Sequence, residues 1–271
     1  MTRKNPWNTL DNMLNQLGGN DAGTIPKICH HYPDRYRLLP AKGSEGDMEA
    51  FHARSYDDRI LTGIYIVGDL SREQVLGDHP EIRFLAYINM ELDDEVRSAI
   101  RSIRADNTLM SRGFFIRDWD RRAPNQSPRG PGLPSVENIL PLVDYLREWK
   151  EAGAPSLMTC CSAGIYRSGV TALTAHSMLT RDPMVSAIRL VLAGKDALDS
   201  NWEIARIADP MLGFDGQLHA AAVNVTRARR EMRKMVMKGT TPGELLDQLL
   251  NIFRYPLDED QALEDIKSKG Y

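Results

Sequence analysis

The chain has 271 residues, with 34 Lys plus Arg against 37 Asp plus Glu and a formal net charge of −3. That near balance excludes a general attraction to nucleic acid or to an anionic membrane surface, and no apolar run approaches the ~20 residues that span a bilayer. The 3 cysteines, an odd number, argue against a disulfide framework and for a reducing compartment, so a cytoplasmic location is expected.

The start of the chain, Met1-Thr2-Arg3-Lys4-Asn5-Pro6-Trp7, has no apolar stretch behind it and does not read as a secretory signal. Leu10, Met13, Leu14 and Leu17 predict a short amphipathic helix that ends at Gly18-Gly19. Cys29-His30-His31 lacks a second Cys/His pair at ligand spacing, which favours a loop or packing role over a metal site. Gly43 to Asp47 is a polar loop. Residues 1–58 are read as an N-terminal extension, 59–225 as the main domain and 226–271 as a helical C-terminal extension.

From Ile60 the pattern becomes regular. Ile64 to Asp69 predicts a strand that ends in a turn, and Ser71 caps a short helix through Leu76. Arg83 to Met90 predicts the next buried strand, Asp93 to Arg104 a helix, and Gly113 to Arg117 a third strand. Two acids, Asp118 and Asp120, follow that strand and open a loop rich in Pro, Gly, Asn and Ser that runs to Pro134. Ser135 caps a helix whose apolar face is Ile139, Leu140, Val143, Leu146 and Trp149; Pro141 inside it should kink it or mark a late start. Gly153 closes this helix, and Leu157-Met158-Thr159 is the strand that leads into the stretch on which the reading turns. Strands alternating with helices predict an α/β fold with a central, mainly parallel sheet flanked by helices.

That stretch is Cys160-Cys161-Ser162-Ala163-Gly164-Ile165-Tyr166-Arg167-Ser168-Gly169. An apolar strand precedes it, and Val170, Leu173, Ala175 and Met178 recur at helical spacing after it. A loop between a strand and a helix N-terminus turns backbone N–H groups into a concavity that suits a tetrahedral oxyanion. Cys161 at such a place, near a guanidinium, is suited to act as a thiolate nucleophile. Arg167 can grip two phosphate oxygens with its planar fork. Gly164 lets the loop bend without a side chain in the ligand's path, and Ser168 can donate a hydrogen bond to the sulfur. A bare Cys-x5-Arg arises by chance in about a quarter of such chains, whereas adding the Gly and the Ser lowers this to about one in a thousand.

The stretch resembles the phosphate-binding loop of cysteine-dependent protein tyrosine phosphatases, whose pattern is His-Cys-x5-Arg-Ser/Thr. Ala163-Gly164-Ile165 and Arg167-Ser168 match the dual-specificity branch. The order Asn201, Ala208-Asp209-Pro210-Met211-Leu212-Gly213, then Gly216-Gln217-Leu218 is similar to a bacterial group of predicted tyrosine phosphatases. The resemblance covers roughly 60 to 222 and departs from the pattern at Cys160, where the family has His. It implies hydrolysis of phosphate monoesters, of phosphotyrosine or of dual-specificity protein substrates, through a cysteinyl-phosphate intermediate. Cys161 would be the nucleophile, residues Ser162, Ala163, Gly164, Ile165, Tyr166 and Arg167 would hold phosphate, and an Asp would be the general acid. Asp118 and Asp120 lie 43 and 41 residues before Cys161; Asp118, at the strand end, fits the family pattern slightly better, and Asp120 is the alternative. No metal or cofactor is called for. A weak or inactive phosphatase-like interaction protein is the alternative reading, and a sulfur-transfer or arsenate-reducing loop is a weaker third.

Cys160 itself reads as a small buried strand residue, with redox protection of Cys161 as the sharper alternative. Asn201 and Asp209 read as a helix cap and a fold-holding polar residue. The basic run Arg227, Arg229, Arg230, Arg233 and Lys234 reads as a solvated helix face. Thr241-Pro242-Gly243-Glu244 is a capping box, followed by an apolar stripe of Leu245, Leu246, Leu249, Leu250 and Phe253. Asp258 to Lys267 predicts a last helix. These C-terminal helices are candidates for docking on the domain, on a partner protein or on a second copy.

Overall fold

The computed structural model of the chain describes residues 27–29, 63–88, 98, 108–117, 132–194, 199–238, 242–254, 256–257, 260–262 and 264. Among the described residues, five parallel strands form one sheet: β1 Lys27–Cys29, β2 Ile64–Gly68, β3 Ile82–Ile88, β4 Met110–Phe114 and β5 Ser156–Cys161. Their spatial order is β1-β2-β5-β3-β4, so the last of these strands in sequence lies at the centre. The helices are α1 Arg72–Asp78, α2 Val136–Glu151, α3 Arg167–Thr180, α4 Pro183–Gly194, α5 Trp202–Leu212, α6 Gln217–Lys238 and α7 Pro242–Arg254.

A parallel sheet needs cover on both faces, so β2, β3 and β5 are buried almost throughout, whereas the edge strand β4 is largely exposed. Alternation divides them. Ile64, Ile66, Phe84, Ala86, Ile88 and Leu157 belong to the large core shared with α2 to α7. Tyr65, Val67, Leu85, Tyr87, Met158 and Cys160 belong to a smaller core with Val75 and Leu76 of α1. Tyr145 of α2 anchors β3 to β4: its hydroxyl accepts the Leu85 N–H (3.0 Å) and donates to the Met110 carbonyl (2.6 Å). Leu249, Ile252 and Phe253 of α7 are buried in the large core, so this helix docks on the domain.

Several boundaries differ from the expectations. β4 starts at Met110 and ends at Phe114, three residues before the expected end, because Arg117 donates its N–H to Gly132 (2.6 Å) rather than to a ladder. Ser71 stands at the N-cap of α1 but makes no cap bond, and its hydroxyl is buried without a partner. Pro141 does not mark a late start: α2 begins at Val136, where the Ser135 hydroxyl accepts from Asn138 N–H (3.4 Å). Leu140 is 40% exposed, and Leu142 and Tyr145 take the inward positions expected of it. Gly153 follows α2 with φ +86, as a chain reversal there requires. The expected helix over 10–17, the polar loop at 43–47, His30 and His31, and Thr241 lie outside the described residues, as do most of 93–104 and 258–267.

Candidate active site

β5 delivers two cysteines to the carboxyl edge of the sheet. Side chains alternate along a strand, so neighbouring thiols leave on opposite sides. Cys160 is fully buried in the small core, and both thiols are free. Burial pushes the Cys160 thiol well above its ordinary value, and negative charge at Asp69 and Cys161 acts in the same direction. Cys160 is therefore a protonated packing residue. It faces away from its neighbour, which removes the geometry that redox protection of Cys161 would need.

Residues 162–166 form the loop between β5 and α3. It is held mainly by backbone. Asp69 donates its N–H to the Ser162 carbonyl (3.2 Å), and Gly164 donates to Cys161 (3.2 Å). Gly164 has φ +69, and a Cβ there would stand 2.5 Å from the Gly68 nitrogen and 2.8 Å from the Val67 carbonyl carbon. The loop thus rests directly on the end of β2, at a distance that only glycine allows. Tyr166 is the N-cap of α3 and makes no side-chain cap bond to it.

The side chains of the loop converge from both ends. Cys161 is 2% exposed, and its Sγ lies 3.2 Å from the Ser168 hydroxyl. Arg167 is buried, and its guanidinium donates to the Ile116 carbonyl (3.0 Å) and to the Ser162 hydroxyl (3.1 Å). Thr159 of β5 donates to the Ser168 carbonyl (3.1 Å), which pins the first turn of α3 to the central strand. The residues from Cys161 to Ser168 therefore form one strand–loop–helix unit. Asp118 and Asp120 lie outside the described residues. The chain that leads to them does not: Ile116, two residues before Asp118, is the acceptor for Arg167.

Other residues enter that sequence reasoning missed. Asp69 follows β2 and accepts from Arg72 (2.6 Å) and from the Tyr87 hydroxyl (2.8 Å) beside the loop. Arg229 of α6 is not on a solvated face; it pairs with buried Asp199 (2.8 Å). An acid directly at the end of a parallel strand was the available signal for Asp69; nothing local marks Asp199 or Arg229. The bland readings of Asn201 and Asp209 hold. Asn201 caps α5 by accepting from Ile204 N–H (3.2 Å). Asp209 accepts from the N–H groups of Gly216 (2.6 Å), Leu218 (2.6 Å) and His219 (3.0 Å) at the start of α6. Among the described residues, no three His, Cys, Asp or Glu are grouped to hold a metal ion.

Fold and site together define an α/β protein whose central parallel strand delivers a cysteine–arginine loop to a helix N-terminus. Solved structures that resemble it at low identity include two forms of Tk-PTP and PTPMT1. Tk-PTP in its active form aligns with a TM-score of 0.35 and 15% identity, over 52% of this chain and 86% of its own. A mutant form of Tk-PTP gives 0.36 and 14%, over 56% and 91%, and PTPMT1 gives 0.34 and 14%, over 57% and 87%. No protein-family model matches the chain, and no curated protein does.

Proposed function

We propose that the protein hydrolyses phosphate monoesters, with phosphorylated protein side chains as the substrate class, through a cysteinyl-phosphate intermediate. The observation that carries this reading is the Cys161 sulfur, 3.2 Å from the Ser168 hydroxyl, in the loop that also holds the buried Arg167 guanidinium. In the proposed reaction the Cys161 thiolate attacks phosphorus and the bond to the ester oxygen breaks. Arg167 and the amides of residues 162–167 hold the three equatorial oxygens as their charge develops. Asp118, with Asp120 as the alternative, protonates the departing oxygen and then takes a proton from the water that cleaves the S–P bond. The Ser168 hydroxyl stabilises the sulfur as it departs as thiolate. The Arg167–Ile116 bond supports an acid from this segment, because it ties the backbone just before Asp118 to the phosphate-gripping side chain.

Turnover of p-nitrophenyl phosphate by the wild type, Cys161→Ser, Asp118→Asn and Asp120→Asn tests the whole scheme. The expected result is turnover abolished in Cys161→Ser and reduced about 10²- to 10⁴-fold in one of the two Asn variants. Turnover that survives Cys161→Ser would refute a cysteinyl intermediate. No turnover by the wild type at any pH would leave the loop a binding element only.

A further inference from the structure

The phosphate loop leans on the end of β2. The β2–β5 ladder stops at the pair Gly68 and Cys161, and one further bond runs from the Asp69 N–H to the Ser162 carbonyl (3.2 Å). A trans peptide sets its N–H opposite its C=O. With the Ser162 carbonyl turned to Asp69, the Ala163 N–H of the same peptide unit points away from Asp69. The Asp69 side chain is itself clamped at both oxygens. Oδ1 accepts from the Arg72 guanidinium (2.6 Å), and Oδ2 accepts from the Tyr87 hydroxyl (2.8 Å). Arg72 also donates its backbone N–H to the Asp69 carbonyl, and its guanidinium lies 5.2 Å from the centroid of the Tyr87 ring. The end of β2, the first residue of α1 and the far end of β3 therefore meet on one carboxylate. Arg72 is buried and Asp69 is partly so. A part-buried ion pair gains little net stability, because desolvation offsets the attraction; where such a pair has an attested use, it is to fix one geometry.

We infer that Asp69 is a positioning residue for the phosphate loop: Tyr87 and Arg72 hold its carboxylate, which fixes the amide that turns the Ser162 carbonyl outward and so aims the Ala163 N–H at an oxyanion. This rests on the phosphatase reading and adds to it a residue some ninety positions before the loop. Asp69 touches no reacting atom. Its carboxylate sets its own main chain, and its main chain sets the loop. Tyr87 acts on the loop only through that carboxylate.

The test uses the full chain with Tyr87→Phe, Asp69→Ala, the two combined, and Leu76→Ala. Tyr87→Phe deletes one hydroxyl and keeps the ring beside Arg72. Asp69→Ala removes both side-chain bonds and keeps the backbone N–H. Inorganic phosphate binding by calorimetry, kcat/KM for p-nitrophenyl phosphate, and Tm are measured together. Tyr87→Phe and Asp69→Ala should each bind phosphate about tenfold more weakly and lose kcat/KM by a similar factor. The double variant should bind no more weakly than Asp69→Ala, because the two residues act in series. Leu76→Ala opens a cavity in the small core under α1; it should lower Tm yet keep phosphate affinity within about twofold of wild type. Wild-type affinity in Tyr87→Phe would overturn the inference, even if Asp69→Ala did not fold. So would an equal loss of affinity in Leu76→Ala, or additive losses in the double variant. If the wild type hydrolyses the ester and Tyr87→Phe matches it, the positioning role alone fails. If the wild type neither hydrolyses it nor binds phosphate, the phosphatase reading fails first and this inference with it.

Discussion

Replacing Gly164 with Ala should be among the most damaging single-methyl changes in this protein. Two costs add. At φ +69 an L-residue pays about 1–2 kcal/mol for the left-handed backbone. The new Cβ would also meet the Gly68 nitrogen at 2.5 Å and the Val67 carbonyl carbon at 2.8 Å. Both are main-chain atoms of β2, which is paired on either side by β1 and β5, so no side-chain rotation relieves the overlap. Overpacking of that kind costs about 1–3 kcal/mol. The total is roughly 2–5 kcal/mol, and at about 2–4 °C per kcal/mol for a chain of this size Tm should fall by roughly 4–20 °C. Gly153→Ala is the control: its φ is +86, but no atom lies within 4 Å of a Cβ there, so only the backbone cost applies. Thermal unfolding by circular dichroism, with both variants beside the wild type, separates the two costs. A Gly164→Ala protein that melts no lower than Gly153→Ala would refute the argument that the loop rests on β2 at glycine-only distance.

The other tests concern buried polar groups. Burial, with Asp69 and Cys161 adding to it, raises the Cys160 thiol well above its ordinary value, so the folded state keeps that proton while an unfolded thiol loses it near about pH 8.5. Stability is therefore whole below that pH and falls as pH rises toward the folded value. The Cys160 contribution is about 1.4 kcal/mol per pH unit. Urea unfolding of wild type and Cys160→Ala between about pH 8 and 10 should show the steeper decline in the wild type; parallel slopes would refute it. Asp209→Ala leaves the Gly216, Leu218 and His219 amides without their acceptor at the start of α6. It should cost about 2–4 kcal/mol in urea unfolding, with Asp209→Asn in between, and a midpoint equal to wild type would count against the capping role.

What the sequence made legible was local. The run Ile64 to Gly68 is apolar enough to be a strand covered on both faces, and it is one. Ser135 and Asn201 precede apolar helical periods, and each caps its helix. The strand–loop–helix could be read because an apolar strand, a glycine-containing loop and a helical period follow one another directly. What could not be read was decided by partners distant in the chain. The end of β4 was misplaced because Gly113 to Arg117 carries an apolar pattern, while the ladder ends where Arg117 turns to Gly132. Leu140 looked inward by type, but the stripe that meets the core runs through Ile139, Leu142, Val143, Leu146 and Trp149, which leaves it off the face. Arg229 sits among basic residues and looks solvated until Asp199, thirty residues earlier, is found against it. No helical period encodes such a pairing.

At Cys160 the chain departs from the pattern that its loop resembles, and other groups hold the loop. A histidine before Cys161 would offer the loop a ring N–H; a buried thiol offers only a weak donor, here 4.0 Å from the Cys161 carbonyl. The holding contacts come from elsewhere and mostly from main chain: Asp69 N–H on the Ser162 carbonyl, Gly68 against Gly164, and Thr159 on the Ser168 carbonyl. Because Cys160 points into the small core and away from Cys161, exchanging its side chain alters packing under β5 before it alters the loop. Gly164 has no such latitude, since a Cβ there would stand 2.5 Å from the Gly68 nitrogen. In this chain the shape of the loop is therefore set by the closeness of β2 to β5, with the side chain at 160 left free to serve the core.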